Sequence, residues 1–306
     1  MIDGSRLRSA LLFLLTLFGL VFLVVFLAGL RRLAGKRQPA AIARVWPPSP
    51  AEILTGVVTV FFDTFGIGSF ATTTAIFRTW RLVPDELIPG TLNVGHALSS
   101  VLSAFVFIGL VPVAPGTLLS MIAAAGLGAW LGAGVVAHLP RYRVRIGMGS
   151  ALLVAAGIML LTQLGVLPGG GEALELSGPR LAVAVAANFV LGGLMTLGIG
   201  LYAPCMIVIS FLGMNPRAAF PIMMGSCALL LPISGIRFVR EERYDPAASI
   251  GLTLGGLPAL LFAAYVVKSL PVTAVRWLVV AVVLYTALTL LRAGWKELDS
   301  RADRTS

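Results

Sequence analysis

Long apolar runs recur along the chain, near residues 11–30, 91–111, 117–138, 145–167, 218–237, 247–267 and 272–293. Each is about the 20 residues that an α-helix needs to cross the hydrocarbon core of a bilayer. Two further apolar stretches, 51–80 and 181–213, are interrupted near their middle by glycine and polar residues. The linker 31–50 is basic and ends in Pro47, Pro48 and Pro50, whereas the linker 168–180 is glycine-rich and carries Glu172 and Glu175. The pattern predicts an all-α polytopic membrane protein.

The two interrupted stretches repeat one another. Placing Thr64 on Thr196, a shift of 132 residues, pairs Gly66, Ile67, Gly68, Ala71, Pro84, Pro89 and Leu98 with identical residues up to Leu230, without a gap. Glycines and prolines among the matches carry the most weight, because they have the strongest backbone meaning. Further on, Leu139, Pro140, Val144 and Arg145 match Leu270, Pro271, Val275 and Arg276 at a shift of 131. The chain therefore reads as a duplication: 1–50 an anchor helix and basic linker, 51–167 the first repeat, 168–180 an outside linker, 181–293 the second repeat, and 294–306 a tail.

If each interrupted stretch enters the membrane, breaks at Gly-Ile-Gly and returns, each repeat is a broken hairpin followed by three spans. An odd number of crossings makes the second repeat inverted relative to the first. Basic residues collect on cytoplasmic segments. The expected inner segments hold Arg31, Arg32, Lys36, Arg37 and Arg44; Arg78 and Arg81; Arg141, Arg143 and Arg145; Arg237, Arg240 and Arg243; and Arg292, Lys296, Arg301 and Arg304. The outer face receives Arg6, Arg8, Arg180, Arg217, Lys268 and Arg276 with the acidic linker. This places the N-terminus outside and the C-terminus in the cytoplasm. The run 11–30 exceeds the 7–15 residues of a signal-peptide core and reads as an uncleaved anchor. Hairpin arms that stop short and arms that cross fully give the same loop sides.

Composition agrees: 58% of residues are apolar and only 12% charged, about half the usual charged fraction of a soluble domain. The net charge of +10 lies between the apolar runs, which excludes a nucleic-acid stripe. Cys205 and Cys227 have neither CxxC context nor metal-ligand spacing. There is no nucleotide-binding loop, HExxH or Gly-x-Ser-x-Gly elbow, so no cofactor, catalytic set or ATP-driven transport is implied.

Mid-membrane breaks free backbone amides that lipid cannot satisfy, so such breaks line protein cavities, and amides opening a half-helix attract anions. The candidate anion-binding residues are Gly66, Gly68, Ser69, Thr72 and Thr73 at the first break. At the second they are Gly198, Gly200, Tyr202 and Cys205, with Pro204 suited to start a helix. Helix packing is the competing role for the glycines. Asp63, just before the first break, either carries a coupling proton or braces the break by local hydrogen bonds; Met195 stands at the matching position. Asn93 and His96 share one side of a helix turn, extended by Ser99 and Ser100. His96 reads as a proton carrier or a packing histidine, and Asn93 as a substrate contact. Asn188, Ser210, Ser226 and Ser234 read as interhelical glue, and Arg237 as an interface anchor.

These residues resemble the TauE/SafE family of sulfite-exporter and toluene-sulfonate-uptake permeases. In that family two related halves each carry a Gly-x-Gly-Gly-Gly-type break, a Pro-rich turn and a Gly/Thr/Ser-containing helix start. Here these are Gly66-Ile67-Gly68, then Pro84 with Pro89, Gly90 and Thr91; and Gly198-Ile199-Gly200, then Pro216 with Pro221, Gly225 and Ser226. The likeness covers about residues 51–293. The breaks continue Ser69-Phe70 and Leu201-Tyr202 where the family carries more glycines, so the site is reshaped. The resemblance implies export or uptake of sulfite, sulfonates or related organosulfur anions. The expectation is a proton-coupled permease in the cell membrane, its site between the hairpin tips and its partners a small anion and the lipid bilayer. A passive anion channel and a non-transporting membrane subunit are the rival readings.

Overall fold

The computed structural model describes residues 4–35, 46–136, 141–166, 171–195 and 200–305. Thr196, Gly198 and Ile199 of the second break, Leu139 and Pro140 of the later match, and Lys36, Arg37 and Arg44 of the basic linker lie outside the described residues. The helices are α1 Gly4–Gly35, α2 Pro50–Thr64, α3 Ser69–Thr79, α4 Ile88–Gly95, α5 Ala97–Leu110, α6 Pro115–Val136, α7 Arg141–Gln163, α8 Gly178–Met195, α9 Tyr202–Phe211, α10 Ala219–Arg240, α11 Pro246–Ser269 and α12 Val272–Thr305. Among the described residues, seven helices are long and apolar enough to cross a membrane. The first arm of the second interrupted stretch, Gly178–Met195, is one of them.

Local chemistry sets the ends of these helices. Ser49 and Glu52 form a capping box around Pro50: Ser49 N donates to Glu52 Oε2 (2.6 Å) and Glu52 N to Ser49 Oγ (3.3 Å), satisfying two amide donors that the first turn leaves orphaned. Asp245 plays a similar part before Pro246, accepting from Ala248 N at 2.9 Å. The second arms of the two interrupted stretches are short, 11 residues for α3 and 10 for α9. At 1.5 Å per residue they reach about 15 Å, half of a hydrocarbon core.

Two compact units emerge, Met1–Leu110 with Met224–Ser269, and Val111–Met223 with Leu270–Ser306. In the first, α2 packs along α11 so closely that a Cβ on Gly255 would strike the carbonyl oxygen of Ile53. α1 joins this unit through one stripe, with Leu11, Leu15, Phe22 and Phe26 buried and Gly19 facing Val101 of α5. In the second, α8 packs along α6, where a Cβ on Gly192 would strike the carbonyl oxygen of Ala125. Asn188 Nδ2 donates to Met121 O across this contact at 2.7 Å, the interhelical role expected of it. On the sequence shifts of 132 and 131 residues, α2 falls on α8 and α6 falls on α11.

In the second unit, α12 also packs on α7 and carries an ion pair toward each end. Arg276 Nη2 meets Glu172 Oε1 at 2.5 Å, and Glu297 Oε2 meets Arg145 Nη1 at 3.1 Å. The two α12 positions are about 32 Å apart along the helix axis, close to the thickness of the hydrocarbon core. Glu172 also accepts from Asn215 Nδ2 at 2.6 Å, and Arg217 donates to the Leu270 carbonyl. Residues that the charge pattern assigned to one face meet one another at one end of α12.

Candidate functional site

The first break follows α2 directly. Phe65 caps that helix, and Gly66 and Gly68 take φ of 92° and 85°, the left-handed region that costs a residue with a Cβ about 1–2 kcal/mol. The reversal puts the start of α3 back beside the end of α2. Ser69 N then donates to Asp63 Oδ1 at 2.7 Å. A carboxylate of the chain itself therefore occupies the amide end where the sequence pattern placed a bound anion. The acceptor oxygen stands at the positive end of a helix.

The hydroxyls behind the break are engaged as well. Thr72 Oγ1 donates to Ser69 O (2.9 Å), and Thr74 Oγ1 to Phe70 O (2.7 Å). Thr73 differs, because it turns inward, is fully buried, and meets His96 Nε2 at 3.2 Å. His96 sits where α4 hands over to α5, with φ −94° and ψ −4°, and Phe70 tilts against its ring at 6.1 Å between centroids. Across the packed helix, Thr253 Oγ1 of α11 lies within hydrogen-bonding distance of two carbonyls, Gly95 O at 2.9 Å and Ser249 O at 3.0 Å.

His96 is 3% exposed, and its Nδ1 is buried with no hydrogen bond to the described residues. Ser99 Oγ, one turn further on the same side, is in the same condition. Either tautomer leaves one imidazole nitrogen unserved, and a buried polar atom in that state costs about 1–3 kcal/mol. Thr73→Val removes the bond the ring does make. It is expected to destabilise the solubilised protein by about 1–3 kcal/mol, read as a lowered melting temperature, while Thr73→Ser recovers most of the loss.

Asn93, one turn before His96, is half-buried. Its Nδ2 donates to Pro89 O at 2.8 Å, and its Oδ1 accepts from Ser234 Oγ of α10 at 2.6 Å. That pairing gives both residues the role of interhelical glue. Asp63, Gly66, Gly68, Ser69, Thr73 and His96 thus form one contiguous set in the first unit, and Asn93 is bonded away from it.

In the second unit, α9 opens without a side-chain cap on Leu201, and Pro204 falls in its first turn as its fixed φ allows. Tyr202 and Cys205 are buried and Gly200 is exposed; Gly198 lies outside the described residues. Cys205 N bonds Leu201 O at 2.9 Å, an ordinary helical bond.

Two contributors escaped the sequence reading. Thr253, which meets the Gly95 carbonyl beside His96, sits inside an apolar run with no local signal. Glu52, buried in its capping box, had one: Ser49-Pro50-Ala51-Glu52 has the S-x-x-E spacing that announces a helix start. No protein-family model, curated protein or solved structure matches the chain, so the functional reading rests on these residues and their geometry.

Proposed function

We propose that the chain is a proton-coupled secondary transporter for a small oxyanion, with sulfite, sulfonates and related organosulfur anions as its substrate class. The observation that carries this reading is the bond from Ser69 N to Asp63 Oδ1 at the start of a half-helix. A helix N-terminus holds anions, and here a tethered carboxylate holds the place. An arriving oxyanion competes with Asp63 for the same amide, and two negative charges at one amide repel. Protonating Asp63 removes its charge and weakens it as an acceptor, which releases the amide to the substrate. Proton and anion are then taken up together, and neither is favoured at the site alone.

His96 stands behind this exchange as a second proton acceptor, linked to α3 through Thr73. Ser69 and Thr73 supply the hydroxyls that reach an oxyanion once Asp63 lets go. The two halves are inverted repeats in this reading, supported by the duplicated Gly-Ile-Gly segments and by the corresponding pairings of α2 with α11 and α8 with α6. Inverted repeats with discontinuous helices recur in secondary transporters. The charge pattern puts the C-terminus in the cytoplasm, and the resemblance to the TauE/SafE permeases supplies the substrate class.

Uptake of radiolabelled sulfite into proteoliposomes, with and without an imposed pH gradient, tests the proposal. Parallel samples carry taurine and sulfoacetate, and one arm uses His96→Ala. Accumulation that follows the pH gradient and falls in His96→Ala supports coupling. Flux that follows only the membrane voltage, without accumulation, makes the protein a passive channel. If none of these anions moves under any gradient, the transporter reading fails.

A further inference from the structure

A groove of about 540 Å³ runs between α1 and the C-terminal half of α10, both in the first unit. Its walls are Leu17 and Val21 on one helix and Ile233 and Ile236 on the other; Leu17, Val21 and Ile233 are 48%, 44% and 48% exposed. The helices close on each other along the adjoining seam. A Cβ on Gly235 would lie 2.7 Å from the Phe22 ring, and one on Gly29 would lie 2.6 Å from Val239. The groove therefore has a packed floor and an open, apolar side.

One end of the groove is charged. Arg237, Arg240 and Glu241 complete its lining, and both arginines are exposed. Spaced three apart, they project from one side of the last turn of α10. Arg32, in the last turn of α1, and Arg31 beside it lie at the same end, since a Cβ on Gly29 would lie 3.5 Å from the hydroxyl of Tyr244 in the loop after α10. Burial, and then the charge of Glu242, hold the Tyr244 phenol above its ordinary range, so it stays neutral there. Three acids face these cations. Glu241 accepts from Arg237 Nε at 2.8 Å, Asp245 caps α11, and Glu242 stands beside Tyr244. Segments 31–32 and 237–245 together hold five arginines against three acids, which leaves the groove end positive.

Arginines in a last helical turn also answer the helix dipole and snorkel at an interface, but neither role calls for a groove beside them. A guanidinium has five N–H donors, so Arg237 keeps donors to spare after serving Glu241. We propose that this groove binds one anionic phospholipid. An acyl chain lies along Leu17, Val21, Ile233 and Ile236, and the headgroup phosphate is held by Arg237 and Arg240. Basic pockets between membrane helices take anionic headgroups in this way. The site is independent of the transport mechanism and needs only that the chain be embedded in lipid.

The test uses the full chain, purified and stripped of lipid in detergent, with bound lipid counted by native mass spectrometry. Phosphatidylglycerol, phosphatidylcholine with the same chains, and inorganic phosphate are titrated separately. Phosphatidylglycerol is expected to be retained over phosphatidylcholine, and phosphate alone neither to bind nor to displace it. Arg237→Gln and Arg240→Gln, both exposed and so harmless to folding, are each expected to weaken phosphatidylglycerol about fivefold and leave phosphatidylcholine unchanged. Ile233→Trp, which fills the apolar wall, is expected to lower retention with both arginines intact. Equal retention of the two lipids overturns the proposal. So does undiminished phosphatidylglycerol binding by the double glutamine variant, or displacement of the lipid by inorganic phosphate.

Discussion

Asp63→Asn is expected to keep the first break folded while disconnecting anion uptake from the pH gradient. Asparagine retains a side-chain oxygen that can accept from Ser69 N, and as a helix cap it ranks beside aspartate. What it lacks is a titratable charge. One pH unit across the membrane stores about 1.4 kcal/mol per proton, which drives about tenfold accumulation. The wild-type protein is expected to approach that ratio for a monovalent anion carried with one proton. The substituted amide side chain competes weakly for the Ser69 N–H at any pH, so the variant should equilibrate the anion without concentrating it. Asp63→Ala separates the two roles of this residue, because it loses the cap as well, at about 0.5–2 kcal/mol of stability. If Asp63→Asn accumulates the anion as the wild type does, Asp63 only braces the break and carries no coupling proton.

The largest loss of stability is expected from Gly255→Leu. A Cβ at this position would meet the carbonyl oxygen of Ile53 and lie 2.8 Å from the amide nitrogen of Val57. Backbone atoms have no rotamer to yield with, so α2 and α11 must move apart along their whole contact. Overpacking that side chains can absorb costs about 1–3 kcal/mol. This clash should exceed that range and show as loss of monodisperse protein and a lowered melting temperature in detergent. Gly147→Ala is the control: its Cβ would meet nothing within 4 Å, and alanine is the better helix former. If Gly255→Leu melts with the wild type, the close approach of α2 and α11 is not what holds the first unit together.

Much of the helical layout was legible in the chain because the signals are local. A run such as 272–293 announces a span by length and apolarity alone, and α12 covers it. The glycines at 66 and 68 marked a break, and both adopt positive φ there. Pro204, read as suited to start a helix, falls in the first turn of α9. The first arm of the second interrupted stretch is longer than its match, 18 residues in α8 against 15 in α2. A shared break motif constrains the turn and leaves the helix ahead of it free to start earlier.

The candidate site was legible as a list of residues and illegible as a set of bonds. Asp63 and Asn93 were both polar residues in apolar surroundings, equal in kind on the page. The structure gives one to the amide of Ser69 and the other to the hydroxyl of Ser234, 141 residues away. Thr253, which reaches Gly95 across 158 residues, had nothing near it in sequence to single it out. Spans and the first break follow from the sequence by itself, because period, apolarity and the φ freedom of glycine act within a few residues. Which amide, hydroxyl or imidazole serves which partner was decided only by the tertiary structure. A hydrogen bond needs its two atoms within about 3 Å, and only the packing of distant helices brings them there.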